Sequence, residues 1–460
     1  MSAALPPKAP LPRPKLVAIT WPIFAEQLLH MILGVIGVWL VSRLSDGAAA
    51  AFALANQINL AFMITFRFVS LGASVVVTQY LGANDHAGAA DVSRAAIGAN
   101  AWMGVISCVL IALGAEQMLG AMHLPPELMS TAKPYLMLVG VMLLFDAINF
   151  SLGAVLRANT FTRDTLRLII VMYVLQMALG LPLMYGVGPL PGMGMEGLAV
   201  GAIASRAFSL WLHVRLWRSR LGIYPSVTDF WRIHWGRVRE MLHIGLPGAG
   251  ENVAYRSCYM MILAMVASMG PTALATHTYT IQIVQFLLLF GLSVGFGTEI
   301  VVGHRVGAGD LQSAHRQVKG GLIAGVAVSL LVTLCAALAG PHLLGLFTKD
   351  AAIIALGAHL IWFNLLLEPG RTFNMVVING LRATGDARFP VGFGVFSMFF
   401  VGVGLSWFLG VHLGMGLVGV WLGYAADEWT RAIAMFARWQ LRGWVPHARR
   451  TRRKVRLKAS

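Results

Sequence analysis

Twelve long apolar stretches dominate this sequence and leave few folds open to it. Each runs for about 20 residues or more, the length that an α-helix needs to cross a hydrocarbon core about 30 Å thick. The stretches are continuous rather than alternating, and they are too long for the ~10-residue strands of a membrane β-barrel. We therefore predict an all-α membrane protein with twelve transmembrane helices. The predicted spans are 16–42, 48–80, 90–114, 131–155, 166–186 and 195–217, followed by 240–268, 273–303, 317–340, 352–379, 389–410 and 416–440.

The composition agrees with a membrane protein. Of the 460 residues, 57% are hydrophobic and only 12% are charged, which leaves too little polar surface to cover a soluble globule of this size. A formal net charge of +16 would also suit a nucleic-acid binder. However, the Lys and Arg residues lie in short loops that alternate along the chain and in one terminal run, Arg449 to Lys458. Positive cytoplasmic loops explain that distribution, so we expect no nucleic-acid partner.

The positive charges also predict the topology. If the amino terminus lies in the cytoplasm, nearly all of the 35 Lys and Arg residues fall on the cytoplasmic side or within spans, and only Arg43, Lys133 and Lys349 fall outside. Both termini are therefore expected in the cytoplasm. The first residues contain no apolar segment with a small-residue cleavage site, so we expect no signal peptide. The arginines within spans are Arg67, Arg206, Arg256, Arg371 and Arg431.

An internal repeat divides the chain into two halves. Pro22 and Glu26 recur as Pro247 and Glu251, an offset of 225 positions that slips to 222 near the end of each half. Because six spans per half is an even number, both halves insert the same way up, related by an axis along the membrane normal. The further matches at this offset are Gln57-Ile58 with Gln282-Ile283, Gly82 with Gly307, Leu119-Gly120 with Leu344-Gly345, Asn149 with Asn374, and Leu156-Arg-Ala158 with Leu381-Arg-Ala383.

The repeat predicts two six-helix lobes with a cavity between them. The predicted parts are an amino-terminal tail over 1–15, an N-lobe over 16–218, a cytoplasmic linker over 219–239, a C-lobe over 240–440 and a basic cytoplasmic tail over 441–460. The linker region carries arginines with tryptophans between them, a composition typical of the membrane interface.

Ionisable residues at mid-membrane depth are the candidate functional groups. Ten residues separate the start of the first span from Glu26, which is about 15 Å, or half of the hydrocarbon thickness. Glu251 is equally deep in its span. A charge that faces lipid at this depth costs several kcal/mol, so such side chains must face inward and either pair or take up a proton. The same count places near mid-span Asp146, Arg206, Glu368, Arg371, Asp427, Glu428 and Arg431.

Spacing predicts that two pairs of these charges meet on one helix face. Glu368 and Arg371 are three residues apart, and Asp427 and Arg431 are four apart. We expect these pairs to stabilise the second lobe more than they serve transport.

Glu251 has no basic residue at either spacing, so we expect it to alternate between a protonated or ion-bound state and an ionised state. Pro22 and Pro247 each lie one turn before a mid-span glutamate and remove a helical hydrogen bond there. We predict that both prolines are hinges.

Sites of other kinds find little support in the sequence. The Gly-x-Gly-x-x-Gly strings that begin at Gly192 and Gly414 do not follow a strand, so they do not predict dinucleotide binding. The histidines are scattered singly, and the three cysteines show no Cys-x-x-Cys spacing. No Ser-x-x-Lys or Gly-x-Ser-x-Gly string indicates a hydrolase. We expect neither a metal nor an organic cofactor.

A series of strings, taken in order, resembles the multidrug and toxic compound extrusion (MATE) family over nearly the whole chain. The first-span proline Pro22 is one feature of this resemblance. The others are Phe52-Ala-Leu-Ala-Asn-Gln-Ile58, Val302-Gly-His-Arg-Val-Gly-Ala-Gly309, Leu346-Phe-Thr348, Glu368-Pro-Gly-Arg-Thr-Phe-Asn374, Asn379-Gly-Leu-Arg-Ala-Thr-Gly-Asp-Ala-Arg-Phe-Pro390, and Gly419-Val-Trp421 with Asp427-Glu428.

The resemblance implies two six-helix lobes, alternating access, and export of organic, often cationic compounds against an inward flow of H⁺ or Na⁺. It also implies an acid in the seventh span, which is Glu251 here. Many members carry an acid near the middle of the first span, but residues 34–38 contain none, so Glu26 is expected as a substitute. The expected ion-coupling residues are Glu251, Glu26, Asp427 and Glu368. The expected lining of the substrate cavity is Gln57, Gln282, His277, Asp146 and Asn374.

Taken together, these features predict a monomeric exporter in a bacterial inner membrane that exchanges organic compounds for H⁺ or Na⁺ and is not an enzyme. Acids outnumber arginines among the mid-depth residues, which favours cationic compounds. One alternative is a flippase of lipid-linked oligosaccharides, which needs a more cationic cavity for the pyrophosphate. A second is an integral membrane transferase, which needs a polar catalytic cluster that the short loops do not provide. The sequence leaves the compound and the coupling ion open.

Overall fold

A computed structural model describes residues 15–188 and 190–459, so residues 1–14 of the predicted tail lie outside the described residues. The first half of the chain forms six long helices. Two-residue strands, β1 (Gly186–Val187) and β2 (Leu190–Pro191), pair antiparallel between the fifth and sixth. The six helices are α1 (Leu16–Ser42), α2 (Asp46–Gly82), α3 (His86–Ala121), α4 (Pro126–Ala158), α5 (Thr162–Tyr185) and α6 (Met195–Leu216).

The second half repeats this order with more interruptions. A π-helical turn over Trp217–Leu221 and the short α7 (Val227–Trp231) connect the halves. The eleventh predicted span is composite, since α13 (Arg388–Ser397) and α14 (Gly404–Trp407) alternate with π-helical turns over Met398–Val403 and Phe408–His412. The remaining helices are α8 (Trp235–Ser268), α9 (Pro271–Ala308), α10 (Leu311–Leu338), α11 (Gly340–Gly345), α12 (Ala351–Thr384), α15 (Gly416–Gln440) and α16 (Val445–Ala459).

The predicted twelve-helix, two-lobe fold is confirmed. Within the described ranges, ten helices are long and apolar enough to cross a membrane by length and composition. The other two of the predicted twelve are α8 and α15. Both carry charges within their spans, Glu251 and Arg256 on α8 and four charged residues on α15, which lowers their hydropathy.

Helix starts follow the internal repeat. The helices α2, α3 and α4 begin at residues 46, 86 and 126, while α9, α10 and α12 begin at 271, 311 and 351, each 225 positions later. Asp85 caps α3 by accepting from the Gly88 N–H at 2.8 Å, and its equivalent Asp310 caps α10 by accepting from the Ser313 N–H at 3.0 Å. The same capping chemistry therefore starts the third long helix of each lobe.

Each lobe has its own apolar interior. In the N-lobe, α4 packs on α2, α3 and α6, and side chains such as Ile111, Leu136 and Leu143 are fully buried. In the C-lobe, α12 takes the place of α4 and packs on α9, α10 and α15, with Val376 and Trp439 fully buried. Smaller apolar contacts join the lobes, where Ile19 and Ile23 of α1 pack on Ile300 and Val301 of α9.

Glycines allow the lobes to approach at one end. A Cβ on Gly82 of α2 would lie 2.1 Å from the His304 carbonyl oxygen of α9, and a Cβ on the equivalent Gly307 would lie 2.0 Å from the Gln79 carbonyl oxygen. Helices α2 and α9 therefore cross at backbone contact, close to the residues where both helices end. We call this end of the molecule the crossing end.

The linker and the terminal helix pack against the lobes. The Trp102 indole N–H on α3 donates to the Trp231 carbonyl at 2.9 Å, so the linker lies against the N-lobe. The predicted basic tail forms α16, which packs on α9 and α12 of the C-lobe and on α2 and α3 of the N-lobe. Its Val455 is buried among N-lobe residues, while Thr451 donates to the Thr384 carbonyl at 3.2 Å. The terminal helix thus bridges both lobes at the crossing end.

Candidate functional site

Two ion pairs occupy equivalent positions in the two lobes. Arg157, near the end of α4, donates from Nη1 to Oε1 of Glu26 at 2.8 Å. Arg382, near the end of α12, donates from Nη2 to Oε2 of Glu251. The partners are 131 residues apart in both cases. Each pair therefore ties the first long helix of its lobe to the fourth.

The pair at Glu251 corrects the expectation that this carboxyl has no basic partner. Spacing at three or four residues considers only neighbours on one helix, whereas Arg382 comes from another helix. The sequence did hold a signal, because Leu156-Arg-Ala158 and Leu381-Arg-Ala383 match at the offset that relates Glu26 to Glu251. A proton or cation that binds Glu251 must therefore compete with a guanidinium.

A further carboxyl near Arg382 was missed at the level of sequence. Glu299 on α9 is 2% exposed, and its Oε2 has no hydrogen-bond partner. The charged side chain whose field acts on it is Arg382, whose Nε is likewise buried without a partner. The repeat places Ser74 at the equivalent N-lobe position. The signal for Glu299 in the sequence was a single acid within a long apolar span.

The neighbour of the N-lobe pair is an arginine, whereas the neighbour of the C-lobe pair is the carboxyl of Glu299. Arg67 on α2 lies within the electrostatic field of Glu26 and Arg157, and its C-lobe equivalent is Leu292. Arg67 thus adds a second arginine beside the N-lobe pair, whereas Glu299 adds a second carboxyl beside the C-lobe pair. The repeat keeps the skeleton of the two groups and changes the balance of charge.

The C-lobe contains a second, larger group of buried charges. Arg371 Nη1 contacts Glu368 Oε1 at 2.6 Å, and Arg431 Nη2 contacts Asp427 Oδ2 at 2.7 Å, so both predicted contacts are confirmed. Glu428 joins the pairs, since it accepts from Arg371 at 3.3 Å and from Arg431 at 2.8 Å. Three carboxylates and two guanidinium groups therefore form one network between α12 and α15.

The predicted lining residues fall into two classes. Asp146 lies inside the N-lobe, where both of its carboxylate oxygens accept from Arg206 Nε at 2.8 and 2.9 Å. His277 is fully buried against Trp421 in the C-lobe. Asn374 is also buried there and donates to Glu428 at 3.0 Å. These three side chains thus lie inside a lobe in this conformation, and their contact with a transported compound stays a prediction.

Gln57 on α2 and Gln282 on α9, the remaining two, are exposed at equivalent positions of the repeat. Each precedes the glycine of the crossing on its own helix by 25 residues, so both lie far from the crossing end. Toward the crossing end, by contrast, almost every side chain of α2 from Val69 to Leu81 is buried. Their contact with a transported compound stays a prediction.

Two cavities adjoin α1. A small polar one of about 50 Å³ is lined by Glu26, Asp146 and Arg157, with two histidines and neighbouring polar residues, and has room for one or two water molecules. A larger one of about 570 Å³ lies between α1 and α5, with apolar walls and Arg163 and Arg167 as its charged residues. Only the polar cavity reaches a predicted coupling residue.

Pro22 and Pro247 both lie inside continuous helices, α1 and α8. Pro247 is flanked by two close contacts with α2. A Cβ on Gly245 would lie 2.2 Å from the Phe68 carbonyl oxygen, and one on Gly248 would lie 3.8 Å from a methyl of Leu71. The proline of α8 is therefore next to the place where the lobes touch. Its action as a hinge stays a prediction, as does that of Pro22.

No group of three or more His, Cys, Asp or Glu side chains among residues 15–188 and 190–459 is arranged to hold a metal ion. The buried acids are instead partnered by arginine, apart from Glu299. The chemistry available to such groups is exchange, in which a proton or a monovalent cation takes the place of a guanidinium on a carboxylate.

Comparison with known proteins agrees with this geometry. The MatE family model matches residues 22–182 and 247–408, two segments whose starts differ by the repeat offset of 225. The chain is 34% identical over 430 residues to "Uncharacterized transporter YisQ" of Bacillus subtilis, covering 94% of each chain. It is 25% identical to "Multidrug resistance protein PmpM" of Pseudomonas aeruginosa, covering 92% of this chain and 90% of that one.

Solved structures share the fold. The MATE transporter VcmN of Vibrio cholerae in its bent form superposes with a TM-score of 0.84 at 16% identity and covers 95% of this chain and 97% of that chain. A MOP superfamily transporter from Pyrococcus furiosus superposes with a TM-score of 0.80 at 17% identity, over 93% and 95% of the two chains. The two-lobe arrangement of helices is therefore that of known membrane transporters.

Proposed function

The chain belongs to the MatE family, and from this membership we propose that it exports small organic compounds across a bacterial inner membrane in exchange for H⁺ or Na⁺. Members of this family are membrane-embedded transporters rather than enzymes. The compound, the coupling ion and the monomeric state belong to the proposal. So does the topology with both termini in the cytoplasm.

The observation that carries the proposal is the position of the Glu251–Arg382 pair beside the contact between the lobes. A Cβ on Gly248 would lie 3.8 Å from Leu71 of the N-lobe and 3.9 Å from Arg382 Nη2. Gly248 and Glu251 are three residues apart on α8, so the ion pair and the contact share nearly the same part of the helix. A change of charge at Glu251 therefore acts directly on the helix that closes the lobes.

Alternating access follows from the one-sided contact. The lobes meet at the crossing end, while Gln57 and Gln282, far from it along α2 and α9, are exposed, which supports a conformation open to the opposite side. The crossing end carries the basic helix α16, including Arg449, Arg450, Arg453 and Lys454. Cytoplasmic regions of membrane proteins are rich in such residues, which supports a cytoplasmic crossing end and an outward-facing conformation.

The charge of the exported compound needs a separate argument. The expectation of organic cations rested on the excess of acids over arginines among mid-depth residues. Each of those acids has an arginine partner, so the count does not describe the charge that the space between the lobes presents.

A flux measurement tests the proposal. Proteoliposomes that contain the full-length protein are loaded with a pH-sensitive dye, and a pH or Na⁺ gradient is imposed. We expect uphill movement of a fluorescent organic compound, with ethidium and carboxyfluorescein as the cationic and anionic probes, together with movement of one of the two ions. Glu251→Gln should abolish the coupling while binding remains, since it mimics a protonated carboxyl.

The matched control is Glu116→Gln. Glu116 also pairs with a base, Lys133 at 2.8 Å, but its side chain is 61% exposed. This control should transport like the parent. Gradient-driven export that persists in Glu251→Gln would move the coupling site elsewhere, with Glu26, Asp427 and Glu368 as the remaining predicted residues. The absence of any gradient-driven flux in the parent would reject the exporter itself.

A further inference from the structure

Two helices from different lobes face each other across the contact near Pro247. A Cβ on Gly72 of α2 would lie 2.1 Å from the Met241 carbonyl oxygen of α8, and one on Gly245 of α8 would lie 2.2 Å from the Phe68 carbonyl oxygen of α2. These contacts fix which face of each helix points toward the other.

Helical geometry extends these faces away from the crossing end. Eleven residues make just over three turns, about 1,100°, and rise about 16 Å, so two residues at that separation lie within about 20° on the helix surface. Gln57 precedes Phe68 by eleven positions, and Arg256 follows Gly245 by eleven. Both are exposed. Helical geometry therefore places them on the facing sides of α2 and α8, and we call the region between these two faces the inter-lobe cleft.

Arg67 lies near the floor of the same cleft. It is four residues before Leu71, whose methyl is 3.8 Å from a Cβ placed on Gly248, so its side chain begins one turn above a contact between the lobes. The side chain is exposed, yet it lies within the field of Glu26 and Arg157. The guanidinium of Arg67 therefore lies between the cleft and the polar residues Glu26 and Arg157.

Neither arginine has a carboxylate partner in the described residues. Arg67 and Arg256 form no ion pair within 4.0 Å, although both lie near the middle of long membrane helices. A guanidinium at that depth cannot face lipid without a cost of several kcal/mol, so water in the cleft must solvate it when no compound is bound.

The buried carboxylates do not neutralise these two charges. Glu26 acts on Arg67 through its field but pairs with Arg157, and Glu299 is shut off from water at 2% exposure. The pairs that occupy the others are Glu26 with Arg157, Asp146 with Arg206, Glu251 with Arg382, Glu368 and Glu428 with Arg371, and Asp427 with Arg431. The charge that the cleft presents is therefore positive.

The neutral groups on these faces repeat, whereas the arginines do not. Gln57 is matched by Gln282, and Asn252, one turn before Arg256, is matched by Gln27 on α1. The positions equivalent to Arg256 and Arg67 hold Met31 and Leu292. Amides can donate hydrogen bonds to many compounds and accept them as well. A guanidinium instead donates two parallel hydrogen bonds to a carboxylate, sulfonate or phosphate.

We propose that the inter-lobe cleft binds its compounds by an anionic group held by Arg256, with Arg67 as the second charge, so that the exported compounds are amphipathic organic acids or zwitterions. This inference rests on the proposed function, because it names the substrate class of that exporter. Apolar parts of the compound contact the side chains around the amides, and the anion takes the place of water on the guanidinium.

Equilibrium binding tests the substrate class without requiring transport. The full-length protein in lipid nanodiscs is titrated with carboxyfluorescein, an amphipathic anion, and with ethidium, a cation, by fluorescence anisotropy. Arg256→Gln should raise the Kd for carboxyfluorescein at least about tenfold, as expected for loss of a hydrogen bond between charged groups. Arg256→Lys should be intermediate, because it keeps the charge and loses the two-point geometry. Binding of ethidium should not weaken in either variant.

Arg43→Gln is the matched control, since Arg43 is exposed at the end of α1 without a carboxylate partner. It removes the same charge and should leave carboxyfluorescein binding unchanged. Because Arg256 is exposed and unpaired, its variants should unfold at the temperature of the parent. Equal carboxyfluorescein affinities for the parent and Arg256→Gln would overturn the inference, as would a parent that binds ethidium and not the anion.

A third probe separates two sources of the same chemistry. A short polyprenyl pyrophosphate carries its anion on a lipid, as a lipid-linked oligosaccharide does. Arg256-dependent binding of carboxyfluorescein supports a free organic acid. Arg256-dependent binding of the pyrophosphate alone would replace that class with a lipid carrier and thereby overturn the inference. If carboxyfluorescein binds through Arg256 and no gradient drives its movement, the binding site stands and the exporter proposal fails.

Discussion

The two repeat-related ion pairs should differ in what their carboxylates contribute to stability, although their geometry is alike. In Glu26→Gln, Arg157 loses its only ion-pair partner in the described residues, and Arg67 remains close by. Stranding a buried charge costs about 3–5 kcal/mol. The side chains of Glu26 and Arg157 are 12% and 22% exposed, so we expect the lower end, about 3 kcal/mol.

Glu251→Gln should cost less. Arg382 loses its contact with Glu251 but keeps the field of Glu299, so the loss is that of one hydrogen bond between charged groups, about 1.5 kcal/mol. Glu299→Gln alone should be close to neutral, because it replaces a carboxyl that has an unpartnered oxygen. Removing both carboxyls leaves Arg382 uncompensated, so the double variant should lose about 3 kcal/mol and show a coupling of about 1.5 kcal/mol.

The assay is equilibrium unfolding of the purified protein in mixed micelles with increasing SDS, followed by the fluorescence of its 13 tryptophans. Glu116→Gln, at an exposed pair, is the control and should unfold like the parent. Equal losses for Glu26→Gln and Glu251→Gln would refute the reasoning. A double variant whose loss is the sum of the two single losses would refute it independently, since Arg382 would then not be shared between the two carboxyls.

Three other predictions concern a cap, a crossing and a network. Asp310→Ala should cost about 1 kcal/mol. Hydrogen bonds from the Ser313 side chain and backbone lower the pKa of Asp310. The contribution of Asp310 to stability should therefore be full above about pH 4 and be lost as the pH falls through the lowered pKa, as unfolding at several pH values would show. Gly72→Ala should impair closure and transport, since its Cβ would lie 2.1 Å from a carbonyl oxygen of α8, whereas Gly120→Ala, with open space around it, should transport like the parent in the flux assay. Arg431→Gln should destabilise the C-lobe by about 3–5 kcal/mol in the unfolding assay, because it removes the arginine that pairs with the buried Asp427, while Glu428 keeps Arg371.

The helices were predictable because their signals are local. A long apolar run identifies a span, and the repeat offset recovers equivalent starts such as residues 46 and 271 without further information. The contacts of Glu368 with Arg371 and of Asp427 with Arg431 were predictable for the same reason, since each lies within one helical turn.

What the sequence could not supply is which face of a helix carries a residue, and which distant residue faces it. Depth alone placed Asp146 and His277 correctly along their helices, but the structure turns both into the interior of a lobe. The partner of Glu251 lies 131 residues away, beyond any spacing rule. The basic run after residue 444 was predicted to be a tail, although Ala448 and Val455, seven residues apart, form the apolar face of a packed helix.

The balance of charge in the two lobes bears on which of them binds the coupling ion. A proton or Na⁺ gains most where carboxyls outnumber the guanidinium that holds them, because one carboxyl can then take the cation while the other keeps the arginine. Beside Arg382 in the C-lobe this condition is met by Glu251 and Glu299, whereas in the N-lobe Glu26 has two arginines, Arg157 and Arg67, beside it. The missing acid in residues 34–38 is consistent with this division, since a cation site there would also lie in the N-lobe. Coupling through the C-lobe alone then requires that one carboxyl–arginine exchange move one lobe relative to the other, and α8, which carries both Glu251 and the glycine contacts with α2, is the helix placed to do so.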